Sequence, residues 1–240
     1  MTFPGMEVAR RYQIDAVTLV NRGERMTILN CNRQPLEQTL GVDLIYYNHR
    51  FDSFVLVQYK RMTKQSHGVV AYRPNSDQNH GTELKRMLGT ERALRAIAKS
   101  KTSTYDGFRL SKRPFFLKLC ESKAKVTLDT AMVSGMYIPL GLWLRLLRSP
   151  SSEGGRGGIL IGWDNCPRRL NNGEFTNLLR NGWIGSAAGQ SQYLSKIIEE
   201  VLGTGRMLIV AATSAAPRAG DFRRDEVGRF AADDDPFGTR

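Results

Sequence analysis

Cysteine, histidine and long apolar runs are all scarce in this chain, and each scarcity removes a class of function. The cysteines are Cys31, Cys120 and Cys166, an odd number, widely spaced and without a C-x-x-C pair. They supply neither a disulfide framework nor a zinc site. The histidines are His49, His67 and His80, and no Ser-His-Asp or Cys-His arrangement follows from their spacing. The longest apolar runs, such as Leu208 to Ala212, are far too short to cross a bilayer. The opening stretch MTFPGMEVARRYQ lacks the apolar segment of a secretory signal. A reduced, cytoplasmic setting without membrane attachment is therefore expected. Internal repeats are absent, and the GGRGG stretch at 154–158 lacks the Gly-Lys-Ser/Thr ending of a phosphate-binding loop.

What the chain does have is apolar material and a concentrated positive charge. With 240 residues, 41% of them hydrophobic, it can form a substantial core. The formal net charge is +12, and between Arg50 and Lys125 there are 17 Lys or Arg against 6 Asp or Glu, a local excess of +11. A basic region of that density favours a polyanionic partner, of which nucleic acid is the commonest. A merely solvated basic surface is the blander account.

Residues 15–31 read as two β-prone runs around a turn at Asn21 to Glu24. VDLIYYN at 42–48 and SFVLVQYK at 53–60 read as a hairpin turning over Arg50 to Asp52. Apolar residues recur at helical spacing from Gln78 to about Ser100, with Lys and Arg between them. PFFLKL at 114–119 reads as a short buried strand, LWLRLLR as helical, and SPSSEGGRGG at 149–158 as a loop. A strand GILIGW, helices around 174–180 and 192–202, and a strand RMLIVAAT follow. The order predicts an α/β or borderline α+β domain over 1–216. The charged segment 217–240 is expected to be a disordered tail.

The hairpin is where chemistry concentrates. Alternate side chains share a strand face, so Gln58 and Lys60 point the same way, and pairing sets Asp43 near Tyr59 and Lys60. An acid, an amide and an ammonium are not needed there for folding, because apolar groups would bury more cheaply. Phosphodiester cleavage accounts for them. Mg²⁺ takes hard oxygen ligands, for which Asp43, the Gln58 amide oxygen and the Tyr59 carbonyl are the candidates, and Mn²⁺ suits the same set. The metal would polarise phosphate and acidify a bound water, while Lys60 would orient or help deprotonate that water and stabilise growing charge.

The segment from Gly41-Val-Asp43 to Val57-Gln58-Tyr-Lys60 resembles the D-x(n)-(E/Q)-x-K signature of the PD-(D/E)XK nuclease superfamily. The Gln variant is similar to that of type IV restriction endonucleases and related antiphage nuclease domains. The resemblance implies a restriction-endonuclease-like mixed sheet flanked by helices, with Asp and Q-x-K at adjacent strand ends. It also implies a site-completing Glu on the preceding helix, a position that Glu37 fits. It covers roughly residues 33–65. No proline precedes Asp43, and a neutral Gln58 replaces the usual acid.

The resulting expectation is an Mg²⁺-dependent DNA endonuclease, the effector of a bacterial restriction or antiphage system. Glu37, Asp43 and Gln58 would hold its metal, Lys60 would be its catalytic lysine, and Arg50, Arg61, Lys64, Lys85, Arg86 and Arg92 would bind the nucleic acid. A separate sensor or ATPase protein could trigger it, and a homo-oligomer is compatible with it. The alternative is a nuclease-like fold that only binds nucleic acid or a partner, with Asp43 capping a strand and Gln58 and Lys60 on an exposed face. An RNA-cleaving toxin would use the same site. Tyr46, Tyr47, Phe51, Phe54 and Tyr59 interleave with cations and serve either base stacking or ordinary packing. Glu83 opens the next helix, where an acid also suits the helix dipole.

Overall fold

A computed structural model describes residues 3, 6–12, 15–65, 68–98, 105, 107–121, 132–155 and 157–203. The strand expected at RMLIVAAT, the tail from 217, and His67 lie outside these residues. Among the described residues the chain is mixed α/β, with five helices and a nine-stranded mixed sheet.

The first half is an antiparallel meander. β1 (Glu7–Tyr12), β2 (Ala16–Asn21) and β3 (Glu24–Asn30) pair in order. Arg22 and Gly23 turn between β2 and β3 at φ +40° and +85°, the positive angles a two-residue hairpin turn demands. A short helix, α1 (Pro35–Leu40), starts on a proline and ends at Gly41, which is left-handed at φ +70°. β4 (Leu44–Asn48) and β5 (Ser53–Lys64) then form the expected hairpin. Its turn is tied down by Asn48, whose Nδ2 donates to the Leu179 and Arg180 carbonyls at 2.9 Å each.

β5 organises the molecule. Residues 53–57 pair β4 antiparallel, 56–62 pair β7 (Phe115–Glu121) parallel, and Thr63 and Lys64 pair β6 (Val70–Tyr72). The parallel pairing requires a crossover, which α2 (His80–Ala98) supplies. β8 (Gly135–Pro139) runs antiparallel to β7 and leads directly into α3 (Leu140–Leu146). GILIGW contributes only β9 (Ile161–Gly162), paired to β6. α4 (Asn172–Arg180) begins with a capping box in which Asn171 and Glu174 each accept the other's backbone N–H. α5 (Ala188–Leu202) closes the described chain.

The two faces of the sheet bury separate cores. Leu56 and Met62 face Leu36 and Leu40 of α1, Met87 and Leu94 of α2, Trp143 of α3, and Leu194 and Ile198 of α5. Val55 and Val57 point the other way, toward Phe116, Tyr137 and the α4 residues Phe175 and Leu179. NNGEFTNLLRNGWIGS, which carries no chemical signature, is thus the helix that backs the sheet. Tyr46, Tyr47 and Phe54 are buried in these cores, so their rings pack and do not stack on bases. No described helix is long and apolar enough to cross a membrane.

Candidate active site

At Asp43 the β4–β5 pairing becomes irregular. Leu44 is the register partner of Val57, and the Asp43 N–H also donates to the Val57 carbonyl at 3.0 Å. Two residues thus oppose one, the arrangement of a β-bulge. The bulge frees the Asp43 side chain to reach along β5, where Oδ2 accepts the Tyr59 N–H at 2.7 Å. Gly41 has by then taken the chain off the sheet, so this carboxylate stands in for the next ladder carbonyl. Strand capping by Asp43 is therefore real, and it leaves the second carboxylate oxygen for other work.

Gln58 and Lys60 are not on an exposed face. They are 2% and 7% exposed and lie on the helix-covered side of β5. Gln58 Nε2 lies 3.4 Å from the Tyr59 carbonyl, and Gln58 Oε1 is buried with no hydrogen-bond partner. Lys60 Nζ donates to Asp77 Oδ2 at 2.7 Å and forms an ion pair with Glu83. Asp77 Oδ2 also accepts from the Tyr72 hydroxyl at 2.8 Å, and Asp77 Oδ1 accepts from the Asn79 N–H at 3.0 Å.

Asp77, His80 and Glu83 are spaced three apart in the chain: Asp77 lies in extended backbone just before α2, and His80 and Glu83 share a face of its first turn. Of the residues at the start of this helix, Gln78 and Glu83 are the two that sequence position marks as able to reach the site; Gln78 is exposed, and Asp77 carries no signal of its own. His80 is 6% exposed, with both ring nitrogens unpartnered, edge-on to Tyr72 and Trp143. The approach of α2 depends on Gly41, where a Cβ would lie 2.5 Å from the Glu83 carbonyl oxygen.

Burial pushes the Asp43 carboxyl up to about 6. The Tyr59 N–H opposes this, the charges of Glu37 and Glu83 add to it, and Lys60 offsets part. Glu83 is likewise raised by burial, against the hydrogen bond and charge of Lys60. Burial acts upward on Asp77 as well, but the Lys60 and Tyr72 hydrogen bonds bring it down to about 2. His80 is lowered by burial and then by the Lys60 charge, which favours neutral imidazole.

Glu37 sits in the first turn of α1, half-buried, and its Oε2 accepts the Arg33 N–H at 2.5 Å. Its charge is felt at both Asp43 and Glu83. Among the described residues no group of three or more His, Cys, Asp or Glu side chains converges in a metal-holding geometry. The fit to Mg²⁺ or Mn²⁺ rests on hard oxygen: the second Asp43 oxygen, the orphaned Gln58 Oε1 and the edge-facing Tyr59 carbonyl. A buried acceptor without a donor calls for a bound water or ion, and the mutual repulsion of the carboxylates favours a cation.

The nucleic-acid candidates divide. Lys85 and Arg92 are exposed on α2 and Arg86 is half-buried there, while Lys64 is exposed near the end of β5. Arg61 is exposed, and strand alternation turns it to the face opposite Lys60. Arg50 lies at the hairpin turn, with its guanidinium 5.2 Å from the Phe51 ring centre, roughly 25 Å along the strand from Lys60. It does not join the site. His49 bonds Thr27 Oγ1 at 2.8 Å in that same distant region.

One buried cation carried no sequence signal beyond interrupting an apolar strand. Lys118, 0% exposed, pairs with Tyr59 across β5 and β7 on the face away from the site. Its ammonium donates to the Tyr137 hydroxyl at 2.9 Å and stands 5.3 Å from the Tyr59 ring centre. Burial lowers it to about 8.

No family model, curated protein or solved structure matches this chain.

Proposed function

We propose that the chain is a metal-dependent endonuclease acting on DNA phosphodiesters, with Asp43, Gln58 and Lys60 at its centre. The observation that supports this reading is that β4 leaves β5 where Gln58 and Lys60 are buried, with Gln58 Oε1 orphaned and Asp43 bonded to the N–H of the intervening Tyr59. Packing alone gives no reason to bury an amide and an ammonium there. The arrangement also suits the Q-x-K resemblance, which implies an Asp and a Q-x-K on adjacent strands. The effector role in restriction or antiphage defence rests on that resemblance.

In this mechanism Asp43, Gln58 Oε1 and the Tyr59 carbonyl would hold the divalent cation, with Glu37 close enough to add its field. The bound cation supplies Lewis acidity toward phosphate and a more acidic water. Lys60, gripped by Asp77 and Glu83, acts as a fixed positive charge toward the phosphate oxygens. Asp77 and Tyr72 orient it. Lys85 and Arg92 offer phosphate contacts that fix the duplex without reading its sequence.

The test is nicking of supercoiled plasmid in Mg²⁺, Mn²⁺ or EDTA. The expected result is metal-dependent cutting that Lys60→Ala and Asp43→Ala abolish while circular dichroism shows both variants folded. Equal cutting by a folded Lys60→Ala protein would sink the proposal.

A second reading draws on the same geometry. Lys60 and one oxygen of Asp43 already have partners within the protein, as in a nuclease-like fold that only binds DNA. It predicts plasmid retention that weakens with salt and is indifferent to EDTA.

A further inference from the structure

We propose that Glu83, which the Q-x-K signature does not include, is a carboxylate ligand of the divalent cation, and that the cation and the Lys60 ammonium compete for it. The inference rests on the metal-dependent reading of this site and adds a residue and an exchange to it.

The charge inventory motivates it. In a chain of net +12, Asp77 and Glu83 both pair with Lys60, and Asp43 feels its charge. It is the cation that offsets Asp43, Asp77 and Glu83 alike. The carboxylates are not equivalent. Asp77 is fully engaged by Lys60, Tyr72 and the Asn79 N–H. Glu83 is 6% exposed and meets Lys60. If Glu83 turned away, Asp77 would still hold the ammonium. Glu83 can therefore change partners without leaving Lys60 buried and unpaired.

Position supports the same conclusion. The left-handed Gly41 brings the Glu83 turn of α2 against the chain two residues before Asp43, and the Glu83 charge is felt at Asp43. Gln58 is 2% exposed, and its Oε1 is an acceptor without a donor on the same face as Lys60. Two carboxylates and an amide oxygen, completed by water, form a hard donor set suited to Mg²⁺ or Mn²⁺. Among the described residues no three acids converge, and the proposed set needs only two carboxylates beside the amide oxygen.

Calorimetric titration of the full chain with Mn²⁺, without nucleic acid, tests this. Glu83→Gln is expected to weaken binding by at least ~10-fold, the scale on which metal sites respond to losing a close partner. Lys60→Gln is expected to tighten it several-fold, since a like charge leaves the site. Unchanged binding in Glu83→Gln, or unchanged or weaker binding in Lys60→Gln, overturns the proposal. A measurement on the parent protein covers failure of either variant to fold. Saturating Ca²⁺ should shift the Glu83 side-chain carboxyl ¹³C resonance, and no shift overturns the proposal. Mn²⁺ binding that follows this pattern in a protein that never nicks plasmid supports Glu83 and removes the nuclease reading. Metal-dependent nicking and Mn²⁺ affinity both unaffected by Glu83→Gln do the reverse.

Discussion

The Asp43 carboxyl sets the folded state against the ionised form that the proposed metal site needs. A carboxyl raised from 3.8 to about 6 on folding favours the folded state while protonated. That contribution is fully present below the unfolded value and is lost as pH rises through the folded one. Asp43→Asn keeps an acceptor for the Tyr59 N–H and removes the titration. It should match or exceed the parent's stability at pH 7.5 and, in urea unfolding, lose less stability than the parent between pH 4 and 7. A variant that is less stable at pH 7.5 by more than ~1 kcal/mol would show that the carboxylate is needed for the fold. Lys60→Ala acts in the opposite sense, because it leaves the buried Glu83 and the half-buried Asp77 without their cation. A loss of about 3 kcal/mol is expected. Adding Glu83→Gln should recover part of it, which a double-mutant cycle in denaturant measures.

At the scale of elements, the α1–α2 contact is what brings the start of α2 to the sheet. Gly41 and Gly23 both have positive φ, but a Cβ at Gly41 would meet the Glu83 carbonyl at 2.5 Å, whereas one at Gly23 meets nothing within 4 Å. Gly23→Ala should therefore cost about 1 kcal/mol, the conformational strain alone. Gly41→Ala should cost clearly more and should also weaken metal binding by shifting Glu83. Equal effects in thermal unfolding would mean that α2 yields without consequence. The hairpin itself was readable because β-branched and aromatic residues fill two runs around a polar turn. α1 was suggested only through the resemblance that put a Glu on a preceding helix, since six residues are too few for a periodic signal. GMYIP was missed as β8 because its residues are apolar throughout and it runs straight into a helix. A strand buried on both faces loses the alternation that marks an amphipathic one.

Over the whole molecule, the basic excess predicts electrostatic binding, but the fold spreads that charge over different faces. Lys85 and Arg92 share an exposed stripe of α2, the helix whose start covers Lys60, while Arg50 sits at the far end of the hairpin. Lys85→Ala with Arg92→Ala should weaken DNA binding and lower the slope of log K against log salt by about 2, roughly one counterion per contact. Arg50→Ala should leave both nearly unchanged in a fluorescence anisotropy titration. A larger effect from Arg50 would place the duplex along the turn end and away from the site.

Residue type and periodicity sufficed to determine the α/β class, the hairpin, the shared face of Gln58 and Lys60, and the approach of Asp43, because strand alternation and pairing are local rules. They did not determine which carboxylates meet Lys60. Asp77 and Glu83 lie 17 and 23 positions beyond it in the chain, and the start of α2 is carried back over β5 by the packing of α2 on α1 and α5, with Gly41 allowing the closest approach. Exposure was equally out of reach of pattern. Gln58 and Lys60 have the composition of a solvated strand face, and they are buried because the start of α2 lies over them.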